Sequence, residues 1–410
     1  MPELFSVLPP AEAYARFLRH FCPRVRAELT DTAAALDRVT AEPILAPADL
    51  PPFTRATMDG YSVRAADTFG ASETAPAYLK IVGEVPTGAT EPVDVGAGEA
   101  AVAHTGGMLA RGADAVVMVE QTQPVDATTI EVVRPVAPGE NCVQIGEDLR
   151  RGAELLPAGQ RLRPQDLGGL MALGLTRVPV ARRPVVAILS SGDEVVPPQA
   201  EPRPGQIRDI NSYTCEALVE RAGGAPRLLG IVPDRREVME ERARAGLSQA
   251  DVLVLSAGSS VGARDMTAAV IAALGPPGIL LHGLAIHPGK PTIVALAGHT
   301  PVFGLPGNPV SAMVLFELLV VPTIKRLLGQ ADPDAYAAVQ ARLTRRVASA
   351  PGREDYVPAR LATRDGELWA EPVFGKSNLI FTMVKAGGLI HVPLDRSGIE
   401  AGEPAEIRLC

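Results

Sequence analysis

Cysteine is scarce in this chain, and the little there is does not cluster. Cys22, Cys142, Cys215 and Cys410 lie far apart and form no C-x-x-C, which argues against a disulfide framework or a zinc ribbon and fits a reducing cytoplasm. Long apolar runs are missing too: none approaches the roughly 20 residues that a membrane-spanning helix needs. The amino terminus, "MPELFSVLPPAEAYARFLRHF", has no basic start leading into an apolar stretch, so no secretory signal is expected. A soluble cytoplasmic protein is the expectation. Positive charge is in deficit, with a formal net charge of −8 and a pI near 5.4, which argues against nucleic acid as the main partner. Two nucleotide fingerprints are absent. "SAGSSVG" is not followed by Gly-Lys-Ser/Thr, and no G-x-G-x-x-G opens a helix, so neither a P-loop hydrolase nor an NAD enzyme is supported.

What is present suffices for several cores. The 410 residues are 47% apolar, which predicts an α/β protein of more than one domain. Residues 1–50 and 141–180 read as one discontinuous, partly helical connecting domain, with a helix over "PAEAYARFLRHF", a second opened by Thr30-Asp31, and another over "RPQDLGGLMALGL". Residues 51–140 break into short β-rich runs such as "AYLKIVGEV" and "DAVVMVEQ", punctuated by Gly, Pro and Asp, and predict an inserted β domain. Over 181–329 strands and helices alternate, the pattern of a doubly wound, mostly parallel sheet. Residues 330–410 return to strands and predict a C-terminal β-barrel.

In an open parallel sheet, ligands sit beyond the carboxyl ends of the strands. Here those ends read "SSGDE" (190–194), "IVPD" (231–234), "SAGSSVGARD" (256–265) and "LPGNP" (305–309). Any one of them alone is ordinary turn chemistry. Four on one sheet point to a phosphate-bearing ligand, because glycine lets the backbone approach closely and helix-start amides receive phosphate oxygens. The candidate binding residues are Ser191, Gly192, Gly258, Ser259, Gly262, Gly307 and Asn308. Asp193, Glu194, Asp234 and Asp265 crowd carboxylates at the same rim, where they repel a phosphate unless a hard cation intervenes. Mg²⁺ takes one or two carboxylates plus phosphate oxygens, so Asp234 and Asp265 are candidate metal positions, with helix capping as their plainer alternative.

These residues, with "HPGKP" and "GLPGNPVSA", resemble the sheet domain of the MoeA family of molybdopterin molybdenumtransferases. "TMDGYSVRAAD" (57–67), "GADAVVMVEQ" (112–121), "GEDLRRGAELLPAGQRL" (146–162), "GREDY" (352–356) and "GKSN" (375–378) extend the resemblance over nearly the whole chain in the right order. The resemblance implies an enzyme that takes adenylylated molybdopterin and molybdate, inserts the metal at the dithiolene and releases AMP in a Mg²⁺-dependent step. It further implies an elongated homodimer with four domains per chain, whose cleft lies between subunits. Asp59, Asp148, Glu194, Asp234, Asp265, Lys290, Arg353 and Ser377 map onto functional positions. Lys290 then holds the pyrophosphate, Arg353 and Ser377 donate to molybdate, and the adenylyltransferase of the same pathway is a candidate partner.

The sequence departs from the family pattern at His287 and Gly283, where lysines are usual, and at Ala257, where "SGG" is usual. Losing one charge-assisted hydrogen bond to an oxyanion costs roughly 1.5–3 kcal/mol. Two alternatives follow. One is a degenerate paralogue that binds molybdopterin or molybdate without turnover, as carrier, scaffold or sensor. The other is an adenylyltransferase sharing only the sheet domain, against which the motifs outside that domain speak.

Overall fold

The computed structural model describes residues 7–257 and 261–409, with the backbone alone for 261–264. Its central sheet has six strands: β1 (Val185–Ser191), β2 (Ala225–Val232), β3 (Val252–Ala257), β4 (Pro277–His282), β5 (Ile293–Ala297) and β6 (Thr300–Pro306). The spatial order is β2-β1-β3-β6-β5-β4. The first four of that order run parallel, and β5 and β4 complete the edge antiparallel. The sheet is therefore mostly parallel, as expected, with two unanticipated strands.

Burial on both faces explains the continuous apolar texture of β1. Val186 and Ile188 enter one core, shared with Val219, Phe303 and Phe316, while Ala187 and Leu189 enter the other, shared with Met239, Val270 and Ile271. This is the period of two that a strand imposes. The helices α1 (Asn211–Arg221), α2 (Arg236–Leu247), α3 (Val261–Ala273) and α4 (Pro309–Leu315) pack on the two faces. Helix α4 continues through a π-helical turn, Phe316–Val320, into a further helix, Val321–Leu327. Pro322 has no amide to donate, and the wider turn just before it absorbs the missing bond. Phe303 and Phe316 are fully buried, each contributing about 2–3 kcal/mol of transfer free energy.

Residues Pro10, Ala13, Tyr14 and Phe17 fall on one face of the helix Pro10–Leu18 and are buried, the i, i+3, i+4, i+7 stripe of an amphipathic helix. That face lies on the central sheet, with the Phe17 ring 5.8 Å from Phe303 and the Tyr14 hydroxyl 3.0 Å from Thr323 Oγ1. The second expected helix does not form. Ala27–Asp31 is a strand, antiparallel to Arg177–Ala181, and only a 3₁₀ turn, Thr32–Ala34, follows it. Thr32 Oγ1 donates to the Leu175 carbonyl at 2.6 Å, so long-range pairing takes the groups that a local cap would have used.

Three antiparallel pairings are nested: Ala27–Asp31 with Arg177–Ala181, Ile44–Leu45 with Glu154–Leu156, and Arg55–Ala56 with Cys142–Val143. Between the arms lies a six-stranded sheet in the order Ala115–Met118, Gly60–Val63, Glu99–Ala103, Ala77–Val85, Thr129–Val132, Thr122–Pro124. At the carboxyl end, Glu354–Arg364, Glu367–Pro372, Ala338–Leu343, Pro404–Leu409 and Gly388–Val392 pair in a closed ring. This is the expected barrel. Its longest strand, Glu354–Arg364, was not foreseen. Among the described residues no helix is long and apolar enough to cross a membrane.

Candidate functional site

The first turn of α1 ties the strand ends together. Asp209 accepts from Ser212 through both its amide (3.1 Å) and its hydroxyl (2.6 Å), and Ser190 Oγ at the end of β1 lies 2.9 Å from Ser212 Oγ. Asn211 Nδ2 donates to Ser256 Oγ, near the end of β3, and to the Gly307 carbonyl, just past β6, each at 2.9 Å. Asn211 is 7% exposed and its Oδ1 has no hydrogen-bond partner. None of Asp209, Asn211 and Ser212 was foreseen. The only signal was "RDINS", polar side chains ahead of a helix that begins inside the sheet.

The opening "SSGDE" turn needs glycine. Gly192 has φ +149, and a Cβ there would lie 2.7 Å from Val195 Cγ2 and 2.9 Å from Glu194 Oε2, so the Glu194 carboxylate folds back over the glycine. Asp193 is exposed and its Oδ1 accepts the Asp234 amide at 3.1 Å, which joins the ends of β1 and β2. Glu194 and Asp234 are half-buried. Burial, then the nearby charges of Glu194 and Asp193, push the Asp234 carboxyl above the usual range. The Ser191 hydroxyl beside it works the other way, yet Ser191 Oγ and Asp234 Oδ1 are both buried without a hydrogen bond of acceptable geometry.

Helix capping accounts for neither metal candidate. The residue before α2 is Arg235, with no side-chain cap, and Asp265 is exposed beyond the first turn of α3. Among the described residues no three His, Cys, Asp or Glu side chains come together to hold a metal ion. A hard cation at Asp234 would thus take part of its shell from a ligand, in keeping with how Mg²⁺ binds beside phosphates. The unpaired oxygens of Ser191 and Asp234 fit that chemistry. Gly258 and Ser259 lie outside the described residues, and Gly262 is the second residue of α3.

The fourth strand end is closed from the barrel side. Asn308 Nδ2 donates to Ser377 Oγ at 3.0 Å, and the Val310 amide donates to the Ser377 carbonyl at 3.1 Å. A second seam lies nearby in sequence. The short strand Ile286–His287 runs parallel to Glu354–Asp355, so "HPGKP" and "GREDY" meet. Arg353 Nε lies 2.9 Å from Asp355 Oδ1 and Nη2 donates to Oδ2 at 3.3 Å, while His287 Nδ1 is 3.7 Å from the same Oδ1. The Asp355 side chain is 3% exposed, against 40% and 59% for Arg353 and His287. Lys290 is exposed, three residues past His287.

Asp59 sits on the inserted sheet, with Oδ1 accepting the Thr105 amide (2.8 Å) and hydroxyl (3.1 Å). The Thr105 amide, followed by its hydroxyl, holds this exposed carboxyl below the usual range. Thr105 was not foreseen, although "HTGG" is the sort of turn that binds a carboxylate. Next to Asp59, Gly60 is obligatory, because a Cβ there would lie 1.9 Å from the Val117 carbonyl oxygen. Asp148 is exposed in a turn whose amide donates to the Leu50 carbonyl at 3.1 Å.

Comparison with known proteins adds three kinds of match. The MoeA N-terminal region (domain I and II) matches residues 8–174, a probable molybdopterin-binding domain matches 187–326, and the MoeA C-terminal region (domain IV) matches 340–409. The chain is 32% identical over 413 residues to the molybdopterin molybdenumtransferase of Bacillus subtilis, covering 100% of this chain and 95% of that protein. It is 34% identical over 388 residues to a putative molybdopterin biosynthesis protein of Methanocaldococcus jannaschii, covering 92% and 91%. Among solved structures, a molybdopterin biosynthesis MoeA protein of Pyrococcus horikoshii superposes with a TM-score of 0.85 at 31% identity, covering 99% of this chain and 100% of that one.

Proposed function

The chain belongs to the MoeA family of molybdopterin molybdenumtransferases, and from that premise we propose that it is a molybdenum insertase. It takes adenylylated molybdopterin and molybdate, sets the metal at the dithiolene and releases AMP with Mg²⁺. The observation that carries this reading is the rim where Ser191, Asp193, Glu194 and Asp234 converge, with buried polar oxygens left unpaired. Such a rim suits a phosphate ligand with a hard cation.

The roles divide by chemistry. Asp234 would hold Mg²⁺, with Asp265 as a further carboxylate and Glu194 facing the ligand, and the ion would supply charge neutralisation at the phosphate. The Gly192 turn, together with Gly258, Ser259, Gly262, Gly307 and Asn308, receives the pterin phosphate. Lys290 holds the pyrophosphate, and Arg353 and Ser377 donate to molybdate. Asp59, whose hydrogen bonds go to Thr105 of its own sheet, and Asp148 complete the cleft from a second copy of the chain. A cytoplasmic homodimer supplied by an adenylyltransferase goes with this reading. So does a division into four domains: 1–50 with 141–180, 51–140, 181–329 and 330–410.

A second reading has one observation behind it. His287 stands where the family usually has a lysine, and its imidazole faces Asp355, which suits a protein that binds the ligand without turnover. Incubating the purified chain with adenylylated molybdopterin, molybdate and Mg²⁺ and assaying AMP separates the two. Tight binding without AMP would select the second.

A further inference from the structure

We propose that Asp355 is a positioning residue: from behind, it holds Arg353 and His287 side by side as a corner of hydrogen-bond donors for a tetrahedral oxyanion. The inference rests on the reading of Arg353 as an oxyanion donor and adds the residues that aim it and tune it.

The geometry is layered. Asp355 is buried at the seam where Ile286–His287 pairs with Glu354–Asp355, and the Arg353 and His287 side chains lie in front of it, open to solvent. Arg353 spends Nη2 on Asp355 Oδ2. Its Nε approaches Oδ1 at 2.9 Å without a hydrogen bond of good angle, and no bond holds Nη1 among the described residues. A guanidinium fixed along one edge in this way presents its remaining donors in a set direction, which is what recognition of a planar or tetrahedral oxyanion requires. Asp355 Oδ1 still lacks a donor, and His287 Nδ1 is the polar atom facing it at 3.7 Å.

The Glu354 carboxylate is engaged with Tyr356 and His391, so Asp355 is the carboxylate that faces His287. With Nδ1 turned toward Asp355, the exposed ring has Nε2 left to offer to a ligand beside Arg353.

The rival explanation is that Asp355 merely quenches Arg353, and it predicts the opposite sign. Equilibrium dialysis of molybdate against the full chain decides. Asp355→Asn and His287→Ala should each bind about tenfold more weakly than wild type, in line with one charge-assisted bond lost, and His287→Lys should bind at least as tightly as wild type. Tighter binding by Asp355→Asn, or unchanged binding by His287→Ala, overturns the proposal. Should Asp355→Asn fail to fold, the two substitutions at exposed His287 still decide. A wild-type chain that binds no molybdate would instead sink the oxyanion reading of Arg353 itself.

Discussion

Asn308 and Ser377, the first just past the end of β6 and the second in a loop beside the barrel, are joined by a hydrogen bond of 3.0 Å. The same serine offers its carbonyl to the Val310 amide, so the amino end of α4 is capped by a residue 67 positions further along the chain than Val310. Two motifs remote in sequence thus share one joint. Ser377→Ala and Asn308→Ala should each lose about 1 kcal/mol of stability. The double variant should lose little more than either single, because one bond is broken in all three. Thermal melts of the four proteins check this, and additive losses would contradict it.

Asp234 makes the rim costly in the absence of a cation. Its carboxyl is held above the usual range by burial and by Glu194 and Asp193. An acid whose pKa is raised on folding favours the protonated folded state, so its contribution to stability declines as pH rises through that raised value. Asp234→Asn should therefore melt higher than wild type at pH 8, by roughly 2 °C, with the gap closing toward pH 4. The same variant should need more Mg²⁺ for AMP release, since the amide lacks the charge a hard cation requires. A lower melting point at pH 8 would show the carboxylate to be stabilising.

Asp193 and Glu194 are adjacent and do different work. Asp193 bonds the Asp234 amide, so Asp193→Asn should cost about 0.5–1 kcal/mol. The Glu194 carboxylate makes no hydrogen bond among the described residues, and Glu194→Gln should leave stability within about 0.5 kcal/mol while sharply lowering AMP release. An active Glu194→Gln beside an inactive but stable Asp193→Asn would reverse the assignment.

Glu354 links the seam to the barrel interior. Burial works to raise its pKa, and hydrogen bonds from His391 and Tyr356, with the charges of His391 and Arg408, outweigh it, so the carboxyl ends below the usual glutamate range. A depressed carboxyl stabilises the fold above its unfolded pKa and stops doing so as pH falls through the folded one. The melting temperature of wild type should fall more steeply between pH 5 and pH 3 than that of Glu354→Gln. Parallel curves would remove Glu354 from the account of acid sensitivity.

If Asp59 completes the cleft of a second copy, the chain is a dimer at micromolar concentration by sedimentation. An inactive Asp59→Asn mixed with an inactive Glu194→Gln should then recover about a quarter of wild-type AMP release, since random pairing of subunits leaves about one cleft in four with both acids. A fully active monomer would contradict the proposal.

Much of the architecture was legible because it is written locally. The apolar run of β1 followed by small polar residues marks a buried strand ending at a rim, and the other parallel strands repeat the pattern. β5 escaped notice because "IVALA" is short and follows no helix that would set it in a βα rhythm, and β4 because no helix comes after "GILLH" to continue that rhythm. Thr30-Asp31 misled for the opposite reason: its local signal is sound, but pairing with Arg177–Ala181 prevails. The Asn211 network could not be read at all. Its partners, Ser256 and Gly307, are distant in sequence and become neighbours only through strand order. The same holds for His287 and Asp355, which a parallel pairing between two separate motifs brings together.

The nested pairings of the two arms also bear on how the chain assembles. Joining Ala27 to Ala181 directly would close a loop through everything between them, whereas Arg55 and Val143 span only the inserted sheet. Once that sheet has formed, it brings the inner pair close. Each pair closed then shortens the free chain for the next, from Arg55–Ala56 out to Ile44–Leu45 and finally Ala27–Asp31. Closure entropy is thereby paid in small instalments. During synthesis the sequence of events is imposed by the ribosome as well, since residues 60–132 emerge before the returning arm that must zip onto the first. A lesion in the inserted sheet, such as any side chain at Gly60, should therefore obstruct the arms that hold it even though it touches neither.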